Sequence, residues 1–160
     1  MSEVYEKTIY WPEFLREAHA VHDAKHPDNV VIGGKSTLVD QLVNTLHKAG
    51  HEKMTLWTKT DLLTASIIKL SLNSALASKI SMFNSIHNIC KSTGADWETV
   101  RTVVGNDTRI GIDHTEVPGP DGKFGFGGKC LPKDLISFSQ MAKENVYLDS
   151  IMLYNKQIRE

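Results

Sequence analysis

The chain has 160 residues, enough for one hydrophobic core or two small ones. Its 18 Lys and Arg against 19 Asp and Glu give a net charge of −1, so composition points to neither a nucleic-acid partner nor a membrane surface. No apolar run approaches the length needed to cross a bilayer, and the charged N-terminus, MSEVYEKTIYWPEFLREA, lacks the apolar centre of a signal peptide. The 2 cysteines, Cys90 and Cys130, are too few for a disulfide framework, and the chain reads as cytoplasmic with reduced thiols.

In chain order, residues 1–27 read as irregular, punctuated by Pro12 and Pro27. Val30, Val31 and Ile32 form a β-branched run that ends at Gly33–Gly34, a predicted strand. Ser36 is placed to cap a helix to about Lys48, with Leu38, Leu42, Val43 and Leu46 on one face and Gly50 as its stop. Met54 to Trp57 reads as a second strand, which completes a fragment of an α/β unit over residues 1–60. From Asp61 to Cys90 there is neither proline nor glycine. Leu63, Ile67, Leu70, Ala77, Ile80, Phe83, Ile86 and Ile89 recur at helical steps, so one long helix is predicted, ended by Gly94. At ~1.5 Å per residue it spans roughly 45 Å. Its apolar residues spread beyond one stripe, a pattern that calls for a second chain to cover them. Asp96 caps a shorter helix, Trp97 to about Val104. Residues 105–128 read as a long loop, and Leu131–Lys143 and Tyr147–Ile158 as helices, within an all-α part over residues 61–160.

GFGGKCLPKD, Gly125 to Asp134, carries the strongest chemical signal. Its glycines let a backbone approach a ligand, and a cysteine at a helix start near a lysine is a setting in which thiols act as nucleophiles. A glycine turn with Cys130 as a small filler is the plainer reading of the same residues. Lys69 and Asn73 share a face of the long helix at i and i+4, suited to an oxyanion or a water, or equally to a solvated strip. Glu13 and Glu17 are acid–base groups or surface charges. VVIGGKST resembles a phosphate-binding loop, but Asn29 stands where that pattern needs glycine. His22/His26 and His47/His51 have helical ligand spacing without an evident third ligand, so no metal is expected.

Taken together, GFGGKCLPKD, WPEFLREA followed by HPDNVVIGG, IIKLSLNSALASKISMFNSI and GNDTRIG resemble, in order and spacing, the UDP-glucose/GDP-mannose dehydrogenase family, nearest to its UDP-glucose members. The resemblance runs from about Ile9 through nearly the whole chain. It implies a mostly α fold: a long-helix dimerisation domain, of the 6-phosphogluconate-dehydrogenase-like C-terminal type, preceded by a small α/β remnant of a Rossmann domain. The glycine fingerprint that cradles a dinucleotide is missing from this sequence. The implied cofactor, NAD, would therefore need a separate polypeptide carrying its domain, and the chain by itself is expected to be inactive. Departures from the family pattern are Ser66, where a glutamate is usual, Ala18, where glycine is usual, and a longer stretch from Ile112 to Lys123.

The implied chemistry oxidises the C6 alcohol of a UDP-sugar to a carboxylate in two steps. Carried over residue by residue, Cys130 attacks the C6 aldehyde, Lys69 steadies the oxyanion, and Asn73 positions the reacting oxygen or water. Asp134 and Glu13 handle protons. Phe14, Leu15, Glu17, Lys133 and the stretch Phe126, Gly127, Gly128 contact the sugar nucleotide, and Arg109 reaches the partner subunit's substrate site. The implied assembly is a homodimer along helix 61–90. A non-catalytic dimerisation module related to these enzymes is the alternative.

Overall fold

The computed structural model describes residues 6–16, 19–27, 29–50 and 56–159. The chain forms two compact units, Met1–Lys69 and Leu70–Glu160.

In the first unit the order is β1 (Ile9–Tyr10), α1 (Ala20–Lys25), β2 (Val30–Gly34), α2 (Ser36–Lys48) and β3 (Trp57–Thr60). Strand β2 lies in the middle, antiparallel to β1 and parallel to β3, with Val30 opposite Trp57 and Ile9 opposite Gly34. A central strand is covered on both faces, which is why Val30, Val31 and Ile32 are all buried rather than alternating. Val39 and Val43 of α2 close over Val30 and Ile32, with Ile9, Leu42, Leu46 and Trp57 at the margin. Three local expectations need correction. Residues 1–27 hold β1 and α1, whose lengths leave no periodicity to read. Ser36 is the first helical residue, not the cap; extended Lys35 holds that place without a side-chain bond. The second strand lies later than expected, at Trp57–Thr60; Met54 falls outside the described residues. Gly50 stops α2 as expected, with φ +91° and its N–H donated to the His47 carbonyl.

The long helix is α3, Leu62–Thr93. Asp61 caps it, accepting from the Thr64 N–H at 2.9 Å and the Thr64 hydroxyl at 2.6 Å. These bonds hold the Asp61 carboxyl below its ordinary range. Gly94, at φ +78°, ends the helix by donating to the Cys90 carbonyl. Then follow α4 (Trp97–Asn106), α5 (Cys130–Ser139) and α6 (Val146–Arg159). Asp96 caps α4 by accepting from the Thr99 N–H. Helix α5 includes Cys130 and stops at Ser139, four residues before the expected Lys143. The core of the second unit gathers Ala77 of α3, Phe126, Leu135 of α5, and Leu148 and Ile151 of α6.

The stretch between α4 and α5 is long but pinned. Lys79 of α3 donates to the carbonyls of Ile110 and Gly111, each at 2.9 Å. Arg101 of α4 donates to the buried Thr115 hydroxyl, which donates in turn to the Ile112 carbonyl. Among the described residues no helix is long and apolar enough to cross a membrane.

Candidate active site

Cys130 opens α5, directly after Gly128, which sits at φ +76°, and Lys129. That positive φ is cheap for glycine alone, and it turns the chain sharply into the helix. Pro132 falls in the first turn, where the missing N–H would have had no intrahelical acceptor. The Cys130 thiol is free and its residue exposed, whereas Cys90 is free and buried.

One turn further along α5 the environment reverses. Asp134 is 3% exposed, yet carries a carboxylate. A buried carboxylate needs partners, and two are present. The Asn73 amide of α3 donates to it at 2.5 Å, and the Lys133 ammonium forms an ion pair with its other oxygen. Asn73 is itself buried, while the Lys133 side chain is mostly exposed. The helical unit thus brings Asn73, Lys133 and Asp134 together, with the Cys130 thiol one turn before Asp134 on the same helix.

Lys69, Glu13, Phe14 and Leu15 belong to the first unit, and Arg109 to the second. Within the first unit, the Lys69 ammonium donates to the Glu13 main-chain carbonyl at 2.7 Å and lies 5.4 Å from the centre of the Phe14 ring. Glu13 and Leu15 are exposed and Phe14 half-buried; Glu17 lies outside the described residues. Arg109 is 86% exposed and forks onto Asp107, two residues before it. That pairing lowers the Asp107 carboxyl and raises the arginine. The rings of His22 and His26 stand 5.1 Å apart, and His47 packs edge-on against Trp57. His51 lies outside the described residues.

The glycine stretch holds a surprise. Phe126 turns its ring into the core, and its N–H and carbonyl are both taken by the Asn155 amide, at 2.7 and 3.0 Å. The Gly125 N–H is donated to the buried Asn84 at 2.9 Å. Arg159 donates to the carbonyls of Phe124 and Gly125 and pairs with Asp121, whose carboxyl it holds down. Asn84, Asn155 and Arg159 were not among the expected site residues. A polar amide in the apolar stretch of α3 was the one available signal, at Asn84.

A cleft of about 550 Å³ opens in the first unit, lined by Gly34, Lys35, Asp61, Leu62, Leu63 and Ser66 among others. It includes none of the cysteine-motif residues.

Residues 63–158 match the central domain of the UDP-glucose/GDP-mannose dehydrogenase family. The chain belongs to that family. Similar UDP-glucose/GDP-mannose dehydrogenases include the UDP-glucose 6-dehydrogenase of Rickettsia bellii, 38% identical over 142 residues, which are 89% of this chain and 31% of that protein. UDP-glucose 6-dehydrogenase TuaD of Bacillus subtilis is 40% identical over 136 residues, 85% of this chain and 28% of that protein. Among solved structures, a UDP-glucose dehydrogenase from Pyrobaculum islandicum aligns with a TM-score of 0.76 at 28% identity, covering 94% of this chain and 33% of that one. The chain therefore spans about a third of the length of the relatives it matches. The fold expected from the sequence, a long-helix domain after a small α/β part, is that of the matching third of the Pyrobaculum islandicum structure.

Proposed function

We propose that this chain supplies the cysteine centre of a nucleotide-sugar dehydrogenase of the UDP-glucose 6-dehydrogenase type. The observation that carries the reading is the exposed Cys130 at the head of α5, one turn from a buried Asp134 bonded to Asn73. A structural filler would have its sulfur in the core, as Cys90 does.

In this reading a UDP-sugar C6 aldehyde meets the Cys130 sulfur. The S–H adds across the carbonyl: an S–C6 bond forms and the proton ends on the C6 oxygen, giving a thiohemiacetal. Oxidation to the thioester removes a hydride from C6, which bound NAD would accept, and the proton of the C6 hydroxyl. Water then adds to C6 and the S–C6 bond breaks; the product leaves as a carboxylate, one water proton returns to the sulfur and the other passes to solvent. The peptide dipoles at the head of α5 favour negative charge beside the sulfur. Asp134 holds the Asn73 amide in one orientation, so that pair serves to place the reacting oxygen or water. Lys133 supplies positive charge at the same helix start. Lys69 keeps the oxyanion role that the resemblance assigns it. Glu13 contributes its main-chain carbonyl, which orients the Lys69 ammonium.

NAD, when bound, supplies acceptance of the hydride. The turn at Gly33 and Gly34 does not fit its pyrophosphate. The strand-to-helix glycines of the first unit, Gly33 and Gly34, face Ala65, the Asp61 carbonyl and the Thr8 carbonyl at distances that leave no room there for a phosphate. The pyrophosphate would therefore be held by residues other than those of this turn, on this polypeptide or another.

The reading also takes a second copy of the chain as partner along α3, where Leu63, Leu72, Met82 and Ile89 are exposed. Such an interface would bury on the order of 2,000 Å² or more. A dimer is expected by light scattering at micromolar concentration; a monomer there would refute this part.

The chemical part is tested by incubating the chain with the 6-aldehyde of UDP-glucose and measuring the intact mass under native conditions. A thiohemiacetal adds the whole aldehyde, whereas a lysine imine would lose one water. The expected result is one full-mass adduct, absent from Cys130→Ala. An adduct that survives Cys130→Ala, or none on the native chain, would sink the reading.

A further inference from the structure

We infer that Asn155 and Arg159 of α6, together with Asn84 of α3, are positioning residues. They fix the backbone of Phe124–Gly128 from its inner side, so that Gly128 stays open and Cys130 turns outward. The catalytic meaning of that rests on the cysteine reading above; the clamp itself does not.

Three side chains engage three consecutive peptide units. Asn155 answers both backbone groups of Phe126, donating with its nitrogen and accepting with its oxygen. No other side chain of that size does both: aspartate lacks the donor and leucine lacks both groups. Asn84 accepts from Gly125, and its own nitrogen is spent on the Ile80 carbonyl, so its orientation is fixed. The Arg159 guanidinium spans the Phe124 and Gly125 carbonyls while its other end meets Asp121. Phe126 then anchors the stretch in the core beside Leu148 and Ile151.

The glycines report the same arrangement. A Cβ on Gly125 would overlap the Asn155 amide, and one on Gly127 would overlap the Arg159 guanidinium. At these two glycines the volume a side chain would need is taken by the clamp behind them. Gly128 differs: nothing lies within 4 Å of where its Cβ would be. It is the glycine of the motif that faces open space, two residues before the thiol.

The test uses the full 160-residue chain and the variants Asn155→Asp and Arg159→Lys. Asn155→Asp keeps the shape and the acceptor for the Phe126 N–H but sets a carboxylate against the Phe126 carbonyl. Arg159→Lys keeps charge for Asp121 but loses the fork. Phe83→Leu, a change in the core edge-on to Trp97, serves as a control that lowers stability without removing a hydrogen bond of the clamp. Two signals are read: hydrogen exchange of the amides of residues 124–129, and iodoacetamide labelling of Cys130 relative to buried Cys90. Loss of one or two backbone bonds predicts amide exchange faster by about tenfold in Asn155→Asp. The labelling rate of Cys130 should change several-fold, with a smaller change of both signals in Arg159→Lys. Phe83→Leu should leave both near the native values. If the clamp variants move these signals no more than Phe83→Leu at equal loss of global stability, the positioning role is overturned. A native chain that forms no aldehyde adduct but shows the local exchange change would remove the catalytic reading and leave the clamp standing.

Discussion

The tripeptide Gly-Gly-Lys occurs twice before a helix, at Gly33–Lys35 ahead of α2 and at Gly127–Lys129 ahead of α5, and the two copies do different work. In the first, Gly33 is buried in the sheet and packs against the start of α3, its absent Cβ occupied by Ala65 and the Asp61 carbonyl. In the second, Gly127 lies over a guanidinium, Gly128 faces open space, and the helix begins with an exposed thiol. Sequence around the glycines does not tell these apart. The difference lies in which atoms fill the volume of the missing side chain, and those atoms come from helices distant in sequence.

The sharpest way to break this comparison is to add the methyl group. Gly33→Ala places a Cβ 2.5 Å from the Ala65 Cβ and 2.7 Å from the Asp61 carbonyl oxygen, a backbone atom that cannot rotate away. Overpacking of this kind costs about 1–3 kcal/mol, and the expected outcome is a clear fall in the denaturant midpoint. Pairing it with Ala65→Gly should recover part of the loss. An unchanged midpoint in Gly33→Ala would mean that the glycine is not there for packing.

Gly128→Ala is the matching change at the other turn, and its effect should be smaller and of another kind. No atom obstructs the new Cβ, so the cost is the left-handed backbone alone, about 1–2 kcal/mol. The turn into α5 is what that backbone builds. Labelling of Cys130 should therefore shift in Gly128→Ala while that of Cys90 does not. Equal behaviour of the two cysteines would erase the contrast between the turns.

These two turns also mark what was legible in the sequence. The long helix was plain because thirty residues without a breaker leave one regular solution, and Gly50 and Gly94 end their helices as their type suggests. The motif GFGGKCLPKD pointed to Cys130, and the structure sets that residue outward and Asp134 inward, one turn apart. What could not be read was non-local. Strand β1 has two residues and exists by pairing with the end of β2. Asn155 and Arg159 look like ordinary polar positions on an amphipathic helix, since their partners are backbone groups about thirty residues earlier. Helix α5 stops at Ser139 although the residues after it are good helix formers. Ser139 there bonds the Asp149 carboxylate of α6, a contact no local pattern announces.

The smallest expected effect concerns charge at the helix starts. Neither helix that follows a Gly-Gly-Lys turn has a side-chain cap, whereas α3 and α4 are capped by Asp61 and Asp96 in the same Asp-x-x-Thr form. Both capping carboxyls are held below their ordinary range, chiefly by the hydrogen bonds from Thr64 and Thr99. A carboxyl depressed in the folded state adds stability that is fully present above its unfolded pKa, near 3.9, and is lost as pH falls through the lower folded value. The starts of α3 and α4 should thus loosen in acid, while those of α2 and α5 have no such carboxylate to lose. Hydrogen exchange across a pH series, corrected for intrinsic rates, should show protection at Thr64 and Thr99 falling below about pH 4 with that at Val39 of α2 following only global stability. Asn at either cap keeps an oxygen acceptor but does not titrate. Asp61→Asn and Asp96→Asn should each cost a little stability at neutral pH, and the gap to the native chain should close as the pH drops through that window. A gap that stays constant into strong acid would show that the aspartates cap by shape alone, and that their charge contributes nothing to the difference between the two kinds of helix start.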